Sequence, residues 1–396
     1  MNPVTTHSFR RGTLPKALAL LTLAAALAGC SAVSSVSSTV GGWFGANKPK
    51  PAELGPNVVT VQVRQAWAAK IGATGAFPME PQVNGNAVTL ASDDGRIVSF
   101  DARTGAELWR ASAGGPLSAG VGSDGSTTAV VTRSNEVVAF ANGQELWRTK
   151  LPAEAFSAPF VAGGRVFVMS GDRAVSAFDG KTGRRLWRQQ RPGEALVLRN
   201  DGVMLAVGDT LVVGLSGRLS GLNPGNGTIR WEAPIASPRG TNDVERLVDL
   251  VGRVSRQGNN LCTRSFQTAV GCVDASRGQL LWTKPANGAT GVDGDDTNIY
   301  GTEANGFVSA WRRSDGERAW SVERLHYRHL SAPLVLGRSV IFGDDSGNVH
   351  MLSRDDGSPV NRLTTDGSAI IADPVVAANT LVVVTKNGGV FGFVPE

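Results

Sequence analysis

Cysteine, tyrosine, net charge and long apolar runs are all scarce in this chain. Cys30, Cys262 and Cys272 are the three cysteines among 396 residues, and no two are adjacent. The run from Ala17 to Ala28 is apolar but has 12 residues, short of the ~20 that a membrane-spanning helix needs. Charge of one sign is also lacking. The formal net charge is +5, and removal of residues 1–29 takes Arg10, Arg11 and Lys16 with no acidic residue, leaving 36 basic against 34 acidic residues. A net +2 makes no case for nucleic-acid binding. Helix-like periodicity is sparse. Two Tyr stand against 49 Gly, a composition of many tight turns and short strands that points to an all-β chain. With 41% hydrophobic residues the sequence is otherwise that of an ordinary globular protein with length for a large core.

Residues 1–29 read as an export signal: a basic start, the apolar run, then Leu27-Ala28-Gly29-Cys30. That tetrapeptide resembles the lipobox of bacterial lipoproteins, in which the Cys sulfur is diacylated and the new amine acylated. Arg10-Arg11 lacks the rest of a twin-arginine motif, so the general secretory route is expected. The resemblance makes Cys30 the lipidation site, and Ser31, where Asp is absent, implies transfer to the outer membrane. Three acyl chains exceed the two signals that stable anchoring takes. Residues 30–57, rich in Ser, Val, Gly, Ala and Pro, read as a lipidated flexible tether.

From 58 to 396 the chain is built of copies. Asp179-Gly180-Lys181-Thr182-Gly183-Arg184-Arg185-Leu186-Trp187 combines a turn with the start of a strand. Asp can accept from amides two residues on, and Gly tolerates the positive φ that closes the turn. Its Trp recurs at 109, 147, 187, 231, 282 and 320, with gaps of 38, 40, 44, 51 and 38 residues, the period of a four-stranded propeller blade. Eight strands precede these turns, at Ile97–Phe100, Val137–Phe140, Ala174–Phe178, Leu219–Leu222, Ala269–Val273, Val308–Trp311, Val349–Leu352 and Val390–Phe393. The eighth has no room for a following strand, and Asn361 takes the Trp position after the seventh. A Trp-bearing strand without a partner, Val58 to Val63 leading to Trp67, lies at the other end. Pairing it with the C-terminal strands predicts an eight-bladed β-propeller, four antiparallel strands per blade, with no chain end unpaired. Ser157-Ala158-Pro159, Ser331-Ala332-Pro333 and Ala372-Asp373-Pro374 mark entries to innermost strands, where Pro is tolerated at the first position. The Trp residues are expected to cover the gaps between blades, each N–H on a neighbouring carbonyl.

The Asp-x-x-Thr-Gly-x-x-x-Trp pattern, clearest at Asp101–Trp109 and Asp179–Trp187, resembles the tryptophan-docking repeat of pyrroloquinoline-quinone-type propellers. Asn223, Arg312 and Arg354 replace the Asp elsewhere, and Ala141-Asn142-Gly143 shortens one turn. Quinone-dependent dehydrogenases of that type hold cofactor and Ca²⁺ with clustered acidic and amide ligands, and commonly carry a vicinal disulfide and long insertions. This chain displays none of these, so no cofactor, metal or catalytic residue is expected. His326 and His329 read as a surface connection, and Asp344-Asp345-Ser346-Gly347-Asn348 as a hairpin turn without the Glu that completes a calcium loop. Cys262 and Cys272 flank a hairpin turn at Phe266–Thr268, which leaves two readings, a disulfide or two half-buried thiols.

Lipobox, tether and eight compact repeats together resemble the BamB family, propeller lipoproteins of the outer-membrane β-barrel assembly machinery. The resemblance covers essentially the whole mature chain. It implies a non-catalytic scaffold on the periplasmic face of the outer membrane that binds the POTRA domains of BamA. Leu196-Val197-Leu198-Arg199 and Glu245-Arg246-Leu247-Val248-Asp249 resemble the family's two partner-binding loops, making Leu196, Leu198, Arg199, Glu245, Arg246 and Asp249 the contact candidates. Alternate apolar residues followed by Arg suit a hot spot, although Leu196 and Leu198 also fit an inner strand. Val251 stands where the family often has another acid. A quinone-dependent periplasmic dehydrogenase and a glycan-binding propeller are the alternative functions.

Overall fold

The computed structural model describes residues 49–75, 79–191 and 196–396. Cys30 and most of the tether lie outside the described residues. Strands form eight four-stranded antiparallel sheets, each a meander of consecutive strands save the last. Blades 1 to 7 span residues 82–112, 122–150, 160–190, 204–234, 250–285, 292–322 and 334–364. Blade 8 takes three strands from 375–395 and its outermost strand, Val63–Lys70, from the other end of the chain. Trp67 pairs with Gly392, so the orphan Trp strand completes the ring as its sequence predicts. The propeller is the expected one, with one adjustment at its start. Residues 58–62 are not in the strand, and Val58, Val59 and Val61 are exposed. Opposite them the pairing thins to Val63 with Pro395 and a single bond from the Glu396 amide to the Gln62 carbonyl at 3.2 Å. The compact unit itself begins at Pro51, inside the segment read as tether.

Among the described residues there is no single core. Eight separate apolar clusters lie between neighbouring blades, one per joint. The alternation of a strand explains this. In blade 2, Ala129 and Val131 point toward blade 3, whereas Val130 joins the cluster shared with blade 1. Second and third strands are therefore buried on both faces and read as continuous apolar runs.

The Trp residues close these joints from outside. Asp179 Oδ1 accepts the amides of Lys181 and Thr182 at 3.1 and 2.9 Å, and Gly183 turns the chain at φ 70°. Trp147 of blade 2 lies on that turn of blade 3. Its Nε1 donates to the Gly180 carbonyl at 2.9 Å, and a Cβ on Gly183 would sit 2.5 Å from the indole. Trp67, Trp187, Trp282 and Trp320 donate likewise to Ala102, Pro224, Arg313 and Arg354, each beside a positive-φ glycine. Trp231 covers Gly278. At Trp109 the facing turn is the shorter Asn142-Gly143, both with positive φ as a two-residue hairpin requires. A register slip of one residue precedes every Trp position, a bulge that re-aims the side chain out of its own sheet. The turns that lack Asp find substitutes: Asn223 caps Gly225, and Asp315 takes over where Arg312 begins the motif.

Because successive strands reverse direction, the Trp-docking turns share one rim with the turns between first and second strands. The opposite rim carries the turns between second and third strands and every blade-to-blade connection. The prolines of Pro159, Pro333 and Pro374 immediately precede innermost strands, as expected.

The Trp and Gly halves of the clasp are separable by mutation. Trp147→Ala is expected to cost ~3–5 kcal/mol in urea unfolding. Gly183→Ala should cost clearly more than Gly208→Ala, since both glycines have positive φ but only Gly183 lies under a ring. Equal losses at the two glycines would show that the ring contact contributes nothing.

Candidate functional site

Residues 196–200 connect blades 3 and 4 and are not a strand; the innermost strand of blade 4 starts at Met204. The inner-strand reading of Leu196 and Leu198 is thereby removed. Leu196 is 39% exposed, Leu198 is half-buried and Arg199 is exposed. The second segment, Glu245–Asp249, ends the connection from blade 4 to blade 5, so both lie on the loop rim.

Asp249 joins the two segments. Its Oδ2 accepts the Leu198 amide at 2.8 Å, and its Oδ1 accepts from the Arg173 guanidinium. Arg173 donates a further bond to the Leu196 carbonyl at 2.8 Å. Both charged side chains are nearly buried, at 8% and 13% side-chain exposure. Asp249 was expected among the contact residues; with so little surface it is instead the support that holds the first loop in place. The acid missing at position 251 has a physical reason here, because Val251 is fully buried in the inner strand of blade 5.

Arg173 has no place among the residues expected from the sequence. It occupies the left-handed position (φ 63°) of the turn between second and third strands, where most other blades place Gly or Asn, as at Gly95, Asn135, Gly347 and Gly388, and blade 5 places Gln267. An Arg in that repeat position was the available signal. A second omission is Val244, an apolar side chain 73% exposed beside Glu245. Glu245 is itself exposed; the amide of Thr241 and the neighbouring Asn242 hold its carboxyl below the ordinary value. Arg246 is half-buried. Arg199 is set by its guanidinium lying 5.1 Å from the centre of the Phe156 ring.

Leu198 and Arg199 border a bowl of about 490 Å³ at the channel mouth, whose far wall includes Arg328, His329, Leu330 and Ile370. Asn200 crosses it to the Ala289 carbonyl at 3.3 Å. Deeper, the inner strand of blade 5 bulges between Val251 and Ser255, and Arg253 spans the channel to the Pro374 carbonyl at 2.7 Å. Carboxylates of different blades surround this point. Asp201 is pushed up to about 6 by burial, partly offset by the Ala158 amide. Burial likewise raises Asp373, with Arg253 opposing. Among the described residues no group of three or more His, Cys, Asp or Glu is placed to hold a metal ion. His329 is exposed on the bowl, and His326 stacks on Tyr327. Cys262 and Cys272 are direct cross-strand partners in blade 5, joined as a disulfide.

A family model described as outer membrane protein assembly factor BamB matches residues 93–322. Outer membrane protein assembly factor BamB of Burkholderia pseudomallei is 40% identical over 339 residues, 85% of this chain and 89% of the relative. That of Bordetella pertussis is 37% identical over 382 residues, 96% and 97% of the two chains. Among solved structures, BamB from Moraxella catarrhalis matches with a TM-score of 0.76 at 22% identity, over 84% of this chain and 99% of that one. Quinohemoprotein alcohol dehydrogenase from Comamonas testosteroni matches at 0.64 and 14% identity, over 84% and 76%. At such identities these structures speak to the fold alone.

The Asp249–Arg173 pair is testable apart from any partner. Asp249→Ala strands a buried guanidinium and should cost ~3 kcal/mol, with loss of exchange protection at the Leu198 amide. The double variant Arg173→Met/Asp249→Leu should regain most of the stability but not that protection. Unchanged Leu198 exchange in Asp249→Ala, read by NMR, would contradict the bracing role.

Proposed function

The chain belongs to the BamB family of outer membrane protein assembly factors, and we propose that it serves that assembly as a non-catalytic scaffold, binding the POTRA domains of BamA through its loop rim. The observation that carries this reading is the buried Asp249 brace, which presents Leu196, Leu198 and Arg199 as one surface. An exposed apolar residue beside a guanidinium fits the anatomy of a binding hot spot. Leu196 supplies buried area, and Arg199, already seated on Phe156, can clamp a carbonyl or carboxylate of the partner with little further loss of side-chain freedom. Val244 and Glu245 extend the same rim on its neighbouring connection. POTRA domains expose sheet edges, and pairing along such an edge can add backbone hydrogen bonds.

Lipidation of Cys30 would hold the ring at the periplasmic face of the outer membrane, with the disulfide of Cys262 and Cys272 formed in that oxidising compartment. The dehydrogenase alternative draws on a shared fold, which does not carry function.

The test is co-purification with BamA from solubilised membranes. Leu196→Arg and Arg199→Glu alter exposed side chains, so each variant should melt as the unaltered protein does. Each should weaken recovery of BamA at least ~10-fold, as loss of a hot-spot residue does. Full recovery with both variants would remove the loop rim as the binding surface.

A further inference from the structure

Seven of the eight joints have a Trp at the same register position, and the joint between blades 7 and 8 has Asn361. Asn361 pairs with Met351 as Trp187 pairs with Ala177 and Trp320 with Ala310. A Trp there would have nothing to dock on. The turn that should receive it would join the third and fourth strands of blade 8, but the fourth strand, Val63–Lys70, arrives from the N-terminal side instead of following the third.

The incoming segment occupies that place. Asn361 Nδ2 donates to the Val61 carbonyl at 2.8 Å, and the Thr60 amide donates to the Val360 carbonyl at 2.9 Å. Asn57 Nδ2 donates to Asn361 Oδ1 and to the Arg362 carbonyl, at 3.1 and 3.0 Å. Arg362 in turn donates to the Gly55 carbonyl at 3.1 Å. Leu54 packs on the cluster between blades 6 and 7, and Ala52 is held by the His326 carbonyl and the Arg328 guanidinium at 2.8 and 2.9 Å. The exposed valines of this segment are consistent with such a role, since it is attached mainly by hydrogen bonds, with Leu54 the apolar side chain that packs on a core cluster.

We propose that residues 52–61 are the eighth clasp of the ring, replacing the missing Trp with a hydrogen-bonded strap laid along the outer strand of blade 7. The strap also fixes where the chain leaves the ring. It runs to the connection between blades 6 and 7, whose Arg328 and His329 border the same bowl as Leu198 and Arg199. The N-terminal chain therefore departs from the loop rim, the rim that carries the candidate binding loops. The closure joint is in this way coupled to the point from which a tether would pull.

The experiment replaces residues 52–61 in the full chain by an equal length of Gly-Ser, and separately makes Asn361→Ala. Thermal melts and amide hydrogen exchange are read for each. The Gly-Ser variant should melt at least ~2 °C lower. In both variants exchange should rise at least ~10-fold in 63–70, 359–364 and 389–395, with 174–190 unchanged as an internal reference. If the Gly-Ser variant fails to fold, exchange in Asn361→Ala decides. Unchanged exchange in the three closure strands, or a rise that is uniform around the ring, would overturn the proposal.

Discussion

The contact of an indole on a glycine turn of the next blade is the interaction on which this ring depends. Each blade is a small sheet that cannot bury both faces alone, and each cluster of the core is shared between two blades. Face-to-face packing of twisted sheets leaves a gap at the outer edge. The Trp fills it, and its N–H satisfies a carbonyl that the turn leaves free. Gly is needed on the receiving side for two reasons at once, a positive φ and the absence of a Cβ under the ring. The interaction demands a partner turn, which explains why it stops at the one joint where the chain has no such turn.

A ring fixed in this way frees its opposite rim. There the connections differ in length and composition from blade to blade, and two of them converge through a buried ion pair. A carboxylate and guanidinium withdrawn from water are costly unless both are fully bonded. Asp249 meets that condition with the Leu198 amide, and Arg173 with the Leu196 carbonyl. The consequence is a loop whose backbone is specified while its side chains face solvent, the arrangement that lowers the entropic cost of binding. Arg253 and Asn200, by contrast, reach across to carbonyls of other blades, those of Pro374 and Ala289.

Much of the architecture was legible because repetition exposes it. Trp and Gly at matched offsets gave the blades, and Trp67 without a preceding partner gave the closure. The prolines before the innermost strands followed from what Pro cannot donate. What stayed hidden depends on contacts between distant segments. Asp249 reads as an acid on a loop until Arg173, 76 positions earlier, is seen to bury it. Val244 lies among polar residues with no periodicity to mark it. The start of the folded unit stays hidden because Ala52 to Asn57 has the composition of a linker, and its attachment to Asn361 and Arg362 spans about 300 positions. Asn361 is visible as a departure, but its meaning requires knowing that the first and last strands pair beside it.

One rim of the molecule carries the docked Trp residues and the other the braced loops proposed to bind BamA. A photoreactive residue placed at Val244, and another at Lys181 on the opposite rim, would test that division in intact membranes. A crosslink to BamA is expected from position 244 and none from 181. A crosslink from 181 with none from 244 would contradict it.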